Sequence, residues 1–150
     1  MKPGNTLITR VLRYPICTPD VLDAIFRHPL YPLVAYDVRG AIEIPRRLLR
    51  PLSPRSTRPW TTEDAPLPFL RYLYNHPKIP GPNPNCWDGY ALTRAVASGF
   101  IPLVQFLLEQ GASPACKGGI AVHAAIRRKN LSLVKMLIEP DTRKIGRAHV

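Results

Sequence analysis

The chain has 150 residues, with 21 Lys and Arg against 10 Asp and Glu, and its formal net charge is +11. This length is enough for one domain with a buried core. The sequence has neither an uncharged apolar run that could cross a membrane nor an apolar N-terminal segment that directs secretion. Three separated cysteines without Cys-x-x-Cys spacing favour free thiols in a reducing compartment: Cys17, Cys86 and Cys116. We expect an intracellular protein, cytoplasmic or nuclear, that attracts polyanions at low salt.

The first helix with clear start signals is predicted at about residues 19–28. Thr18 is suited to accept a hydrogen bond from the first turn, and Pro19 fits the first helical position, where no N–H is needed. Residues 21–32 resemble residues 69–80 at a constant offset of 48 positions. A constant offset over such a length indicates a structural repeat.

Residues 1–44 are predicted to form a degenerate N-terminal region of helical repeats. Weak apolar patterns at residues 6–14 and 37–44 are candidates for its partner helices. The sequence of residues 19–26 also resembles the start of an F-box, a motif that recruits a ubiquitin-ligase scaffold. An F-box followed by repeats would imply a substrate adaptor, and we keep this reading as an alternative.

Residues 45–65 form a segment rich in proline and arginine. Long helices and central strands are excluded here, because ten prolines lie between Pro45 and Pro84. Five arginines give the segment its charge: Arg46, Arg47, Arg50, Arg55 and Arg58. The pattern predicts a solvated loop between two repeats. The alternative is a basic arm that contacts nucleic acid, with Trp60 available for stacking.

Two similar blocks follow in residues 88–139. The segments 89–92 and 103–109 recur at 119–122 and 133–139, both with an offset of 30 positions. Apolar residues at helical spacing predict a pair of helices in each block. Short breaks separate the helices of a pair, at Ser98–Gly99 and at Lys129–Asn130, because Gly and, less readily, Asn adopt the left-handed conformation. Together with the upstream matches, the predicted second helices are 19–28, 67–76, 102–110 and 132–139.

These spaced positions resemble the ankyrin repeat. Matching residues in the first block are Leu92, Ala95, Gly99, Val104, Leu107, Leu108, Gly111 and Ala112, and in the second block His123, Ala125, Asn130, Val134, Leu137 and Ile138. The resemblance implies an all-α, helix-turn-helix solenoid, with residues 66–143 as its repeat region. The sequence departs from the family at 90–91 and 120–121, where Thr-Pro is expected, so the entry to each first helix is predicted to be looser. The link 112–119 is short, which predicts a blunt finger between repeats.

The resemblance also implies the function. Ankyrin-like proteins bind protein partners through a concave helix face and finger tips, without catalysis. Carried over to this chain, the candidate partner-binding residues are Trp87, Tyr90, Arg94, Lys117, Arg127 and Arg128. Because four of these residues are basic, we expect a protein partner with an acidic surface. A basic accessory domain that contacts nucleic acid remains the alternative.

No spacing in the sequence predicts an enzyme, a cofactor site, a metal site or a small-molecule substrate. His28 and His76 are predicted to end two equivalent helices, where a cation suits the helix dipole. His123 matches the structural histidine of the resembled family, whose ring hydrogen-bonds across the turn.

The C-terminal residues 144–150 are predicted to be a non-native tail. Residues 145–150 read as the translation of a sequencing-library adapter. On this hypothesis the natural protein continues beyond Arg143, and the last helix pair leaves apolar surface uncovered.

Overall fold

The computed structural model describes residues 7–28, 42–55 and 57–139. The helices of this part of the chain are α1 (Leu7–Leu12), α2 (Pro19–Arg27), α3 (Leu67–Asn75), α4 (Cys86–Ser98), α5 (Ile101–Glu109), α6 (Cys116–Arg127) and α7 (Leu131–Ile138). One short 3-10 helix, Arg46–Leu48, lies between α2 and α3. The predicted all-α class is confirmed, and α2, α3, α5 and α7 agree with the four predicted second helices to within about one residue. The predicted tail, 144–150, lies outside the described residues.

Helix α2 begins and ends as its sequence predicts. The Thr18 hydroxyl accepts a hydrogen bond from the amide of Val21 at 3.4 Å, and Pro19 is the first helical residue. His28 ends α2 and His76 ends α3 with nearly the same extended backbone, at φ −69° and ψ 134° against φ −72° and ψ 130°. The repeat predicted between these two segments is therefore present as two helices with the same C-terminal geometry.

Of the two partner helices predicted in the N-terminal region, the described residues contain a helix at the first. Helix α1 confirms the prediction for residues 6–14. The prediction for residues 37–44 is wrong in its described part, because 42–44 are extended and Glu43 forms a parallel bridge with Asn83. Ile44 precedes a proline, which disfavours helical backbone, and β-branched isoleucines favour extended structure. Residues 37–41 lie outside the described residues.

The first helices of the two clear repeats pack side by side. Helix α4 packs against α6, and each packs against its own second helix, α5 or α7. Buried alanines allow the close approach of α4 and α6: Ala91, Ala95, Ala121 and Ala125. The contacts between the two repeats thus run mainly through their first helices.

A left-handed turn, repeated at the same offset of 30 positions, lies within the bounds of α4 and of α6 and leads into the regular helical part of each. Residues 87–89 have φ of 58°, 54° and 77°, and residues 117–119 have φ of 53°, 68° and 79°. Gly89 also meets a close neighbour, because an added Cβ would lie 2.7 Å from Cβ of Cys116. The prediction of a loose entry is thus replaced by a defined turn that differs from the Thr-Pro device of the resembled family.

The break between α6 and α7 differs from the prediction in one residue. Gly99 ends α4 in the left-handed conformation, at φ 73°. At the equivalent place Lys129 takes this conformation, at φ 57°, rather than Asn130. Asn130 is extended, and its side-chain oxygen accepts a hydrogen bond from the amide of Leu133 at 3.2 Å. Asn130 is therefore the N-cap of α7, a role that its short side chain fills well.

One hydrophobic core runs through the described residues from Ile8 to Leu137, with Phe100 among its fully buried side chains. The N-terminal helices thus share a core with the two clear repeats. In α6 and α7 three apolar side chains are more than half exposed: Ile126, Leu131 and Ile138. Within the described ranges no helix has both the length and the apolar character that a membrane span requires.

We expect Lys129→Gly to stabilise the protein by about 1 kcal/mol, because a left-handed residue with a Cβ is strained and glycine is not. Unfolding in urea measures the change. The control Lys135→Gly places glycine inside α7, where we expect a loss of about 1 kcal/mol. A destabilising effect of Lys129→Gly would show that Lys129 does not have the left-handed conformation.

Candidate partner-binding surface

The irregular segment 42–52 lies against α4, to which hydrogen bonds from Trp87 and Arg94 join it. Its apolar side chains are buried: Ile42, Ile44, Leu49 and Leu52. Its amides find partners outside the segment, because the Glu43 amide donates to the Thr9 hydroxyl at 3.0 Å and the Ile44 amide donates to Sγ of Cys86 at 3.3 Å. The segment thus joins the N-terminal helices to the clear repeats.

Arg94, on α4, satisfies the carbonyl groups of this segment. Its Nε donates to the carbonyl oxygen of Leu49 at 3.3 Å, and its Nη2 donates to that of Arg50 at 3.0 Å. Nη2 also donates to the carbonyl oxygen of Leu52. The carbonyl oxygen of Leu49 also accepts from the amide of Leu52 at 3.1 Å, whereas those of Arg50 and Leu52 accept from no backbone amide among the described residues. Unpaired backbone groups are costly. Arg94 therefore holds the segment 42–52 onto the repeat.

Trp87 makes the second link between α4 and the segment. Its indole N–H donates to the carbonyl oxygen of Ile44 at 3.0 Å, while 37% of the residue surface stays exposed. The guanidinium carbon of Arg46 lies 4.2 Å from the ring centroid, which is the geometry of a cation–π contact. Trp87 is thus fixed at its nitrogen and covered by an arginine.

A basic groove opens between α1, the segment 42–52 and Trp87. Its volume is about 450 Å³, and its charged lining consists of Arg13, Glu43, Arg46, Arg47 and Arg50. Glu43 forms a long ion pair with Arg13, at 3.8 Å. Arg47 donates from Nε to the carbonyl oxygen of Leu12 at 2.9 Å, whereas its buried Nη2 has no hydrogen-bond partner among the described residues. The groove therefore holds an excess of positive charge.

Trp60 anchors the second half of the Pro/Arg-rich segment. Its indole N–H donates to the carbonyl oxygen of Ser98 at 3.0 Å. Its ring stacks on Phe100 with centroids 4.3 Å apart, and the guanidinium carbon of Arg55 lies 3.6 Å from its centroid. Two groups so near one ring must lie on opposite faces. Both faces of Trp60 are thus covered, and the nucleic-acid arm proposed from the sequence has no free stacking surface here.

Asp64 holds the same segment in place. It accepts hydrogen bonds from the Thr61 amide at 2.7 Å, from Arg55 at 3.1 and 3.3 Å, and from Arg58 at 3.1 Å. The Thr61 amide, followed by the two arginines, lowers the pKa of the Asp64 carboxyl far below its ordinary value of 3.8. This part of the segment is an anchored loop rather than a freely solvated one.

The six residues predicted from the sequence fall into separate environments. Tyr90 is half-buried against the core, and Arg94 is committed to internal carbonyls. Arg128 donates to the carbonyl oxygen of Ala97 at 3.1 Å. Only Trp87 borders the basic groove, together with arginines that the sequence placed in a loop. The remaining two side chains are exposed: Lys117 and Arg127.

The His, Cys, Asp and Glu side chains of the described residues are scattered. No group of three or more His, Cys, Asp or Glu side chains that could hold a metal ion lies within the described ranges. Burial raises the pKa of Cys86 to about 11 and also raises that of Cys17, so both thiols stay protonated near neutral pH. His123 is exposed and makes no hydrogen bond with the described residues, so the role implied by the family resemblance is not seen.

We expect Arg94→Gln to lower the free energy of unfolding by about 2–3 kcal/mol, because the carbonyls of the segment 42–52 lose charged donors. Thermal or urea unfolding measures this loss. The control Arg127→Gln removes the same charge from an exposed site and should change stability by less than about 0.5 kcal/mol. Equal effects of the two substitutions would contradict the anchoring role of Arg94.

The Asp64 contacts make stability depend on pH in a defined direction. Because the folded pKa is depressed, the contribution of Asp64 is present above pH 3.8 and is lost as the pH falls toward the lower folded value. We expect wild type to be more stable than Asp64→Asn at pH 7 and the difference to shrink below about pH 4. Urea unfolding at several pH values measures it, with Glu63→Gln as a control. A difference that does not vary with pH would contradict the assignment.

Comparison with known families gives one match. The family profile described as ankyrin repeats, in three copies, matches residues 63–147, which is more than half of the chain. No curated protein and no solved structure matches the chain. The matched region contains α3 to α7, with the two helix pairs and the packed first helices α4 and α6. The chain therefore belongs to the ankyrin-repeat family, whose members generally serve as protein–protein interaction modules.

Proposed function

We propose that this chain is a non-catalytic adaptor that binds an acidic surface of another protein along the concave row of first helices and the adjoining turns. The observation that carries the proposal is the row itself, in which α4 and α6 pack side by side within the family-matched region. A rigid stack of this kind presents a preformed surface, which reduces the entropy lost on binding.

The charge of the repeats supports an acidic partner. Residues 86–139 contain six basic and three acidic residues. Lys117, in the turn before α6, and Arg127, at its end, are both exposed. Charge complementarity across an interface speeds association and selects among partners. A partner that contacts both of these side chains and also the exposed surface of Trp87 would cover more than one repeat.

The alternatives from the sequence have less support. Both tryptophans are covered on at least one face by arginine, which leaves less aromatic surface for stacking on bases. The F-box interpretation concerns α2. The Tyr72 hydroxyl of α3 donates a 2.6 Å hydrogen bond to the Asp23 carboxylate of α2, so α2 contacts α3 as a helix of a neighbouring repeat would. No specific observation favours either alternative over protein binding.

Photo-crosslinking from single positions tests the proposal. A crosslinking amino acid is placed at Lys117 or at Arg127, and the protein is irradiated in an extract of the source cells. Protease should remove the resulting adducts, whereas nuclease should leave them intact. The crosslinked peptides, identified by mass spectrometry, should lie in acidic segments. The control position is Glu109, which is exposed at the end of α5, in the outer row. Nuclease-sensitive adducts, or equal capture from Glu109, would contradict the proposal.

A further inference from the structure

The basic groove holds three arginines whose charge is not balanced within the described part of the chain. Glu43, the one acidic residue of the lining, pairs with Arg13. Arg46, Arg47 and Arg50 form no ion pair with any described carboxylate. Like charges brought together in one groove repel each other, and an anion from outside would relieve that repulsion.

Arg47 indicates where such an anion would be held. Its Nε is fixed by the carbonyl oxygen of Leu12, so the guanidinium has a set orientation. Its Nη2 is buried and has no acceptor among the described residues. A buried donor without an acceptor is costly, and no group of the lining balances the charge of this guanidinium, so an oxyanion in the groove beside Arg47 would offset it.

The opposite wall of the groove is held in a ready conformation. Trp87 is fixed through its indole N–H, and Arg46 lies over its ring at 4.2 Å. Stacking on an aromatic ring restricts the rotamers of an arginine, so less entropy is lost when the arginine binds an anion. A volume of about 450 Å³ also accommodates a charged side chain with part of its peptide.

We propose that the basic groove binds a phosphorylated serine or threonine side chain of a partner protein. This inference rests on the proposed function and names the group that this part of the surface recognises. A phosphate group carries about 1.5 to 2 negative charges and three strong acceptor oxygens, which suit three arginines better than a single carboxylate does. A single groove with its tryptophan face covered is also a poor track for a nucleic-acid backbone, which needs a continuous basic path and stacking surfaces.

Fluorescence anisotropy with three peptide pools tests the inference on the whole 150-residue chain. The pools share degenerate flanking positions and carry phosphoserine, serine or glutamate at the centre. At 0.15 M salt we expect the phosphoserine pool to bind about ten-fold more tightly than the serine and glutamate pools. Inorganic phosphate should compete with it, and sulfate-free buffers keep the comparison clean.

Substitutions locate the binding in the groove. Arg47→Gln and Arg50→Gln should each weaken binding of the phosphoserine pool by about ten-fold. The side chain of Arg50 makes no hydrogen bond or ion pair with the described residues, so Arg50→Gln is informative even if Arg47→Gln impairs folding. The matched control Arg127→Gln removes the same charge from α6 and should change the affinity by less than about two-fold.

Three results with the peptide pools and variants would overturn the inference, and so would one with DNA. They are equal binding of the phosphoserine and serine pools, equal or tighter binding of the glutamate pool, and equal losses from Arg50→Gln and Arg127→Gln. Tighter binding of a mixed-sequence DNA duplex than of the phosphoserine pool would also overturn it. Protein crosslinks from Lys117 and Arg127 that persist in Arg50→Gln would then show that the proposed function stands without this site.

Discussion

The structure depends on giving hydrogen-bond partners to the backbone of a segment that is neither a regular helix nor a sheet strand. In the segment 42–52, the amide of Ile44 finds Sγ of Cys86 and its carbonyl finds the indole of Trp87. Arg94 then serves three carbonyls further along the same segment. Buried backbone groups rarely stay unpaired in folded proteins. Side chains of α4 and of the turn before it therefore replace the backbone bonds that a regular helix would supply.

The same contacts create the candidate site. Because Arg94 and Trp87 hold the segment against α4, its 3-10 helix presents Arg46, Arg47 and Arg50 beside Trp87. The basic groove thus lies where the irregular N-terminal part meets the first clear repeat. Regular repeats stack on similar neighbours and leave a continuous surface, whereas a junction between unlike elements leaves a recess. An irregular repeat can in this way add a specific pocket to a surface that is otherwise extended.

Much of the fold could be predicted from the sequence, because local chemistry decides it. The second helices follow from prolines in the first turn, as in α5, and from apolar residues at helical spacing. Their position in a stack follows from the family resemblance. The entry turns could not be predicted in this way, because Trp87 and Asp88 adopt left-handed backbone that side-chain preference alone disfavours. The close approach of Gly89 to Cys116 reflects packing between repeats.

The candidate site was only partly predictable. Trp87 is a candidate that the family resemblance implies, and it borders the basic groove. Arg94 is another, yet its guanidinium reaches carbonyls more than forty positions earlier in the chain. Contacts over such a sequence separation carry no local signal. For the same reason the sequence predicts Arg46, Arg47 and Arg50 only as charges of a solvated loop, because their position beside α1 and Trp87 depends on contacts distant in sequence.

Amide hydrogen exchange of residues 42–52 tests most directly whether this segment is built into the fold by α4. The amides of Glu43, Ile44, Leu49 and Arg50 donate hydrogen bonds, so the segment should exchange slowly in the wild-type protein. In Arg94→Gln, exchange across the segment should become faster, while α6 and α7 should keep their wild-type protection. Fast exchange of the segment in the wild type, at the rate of an unstructured peptide, would contradict the account and remove the basis of the groove.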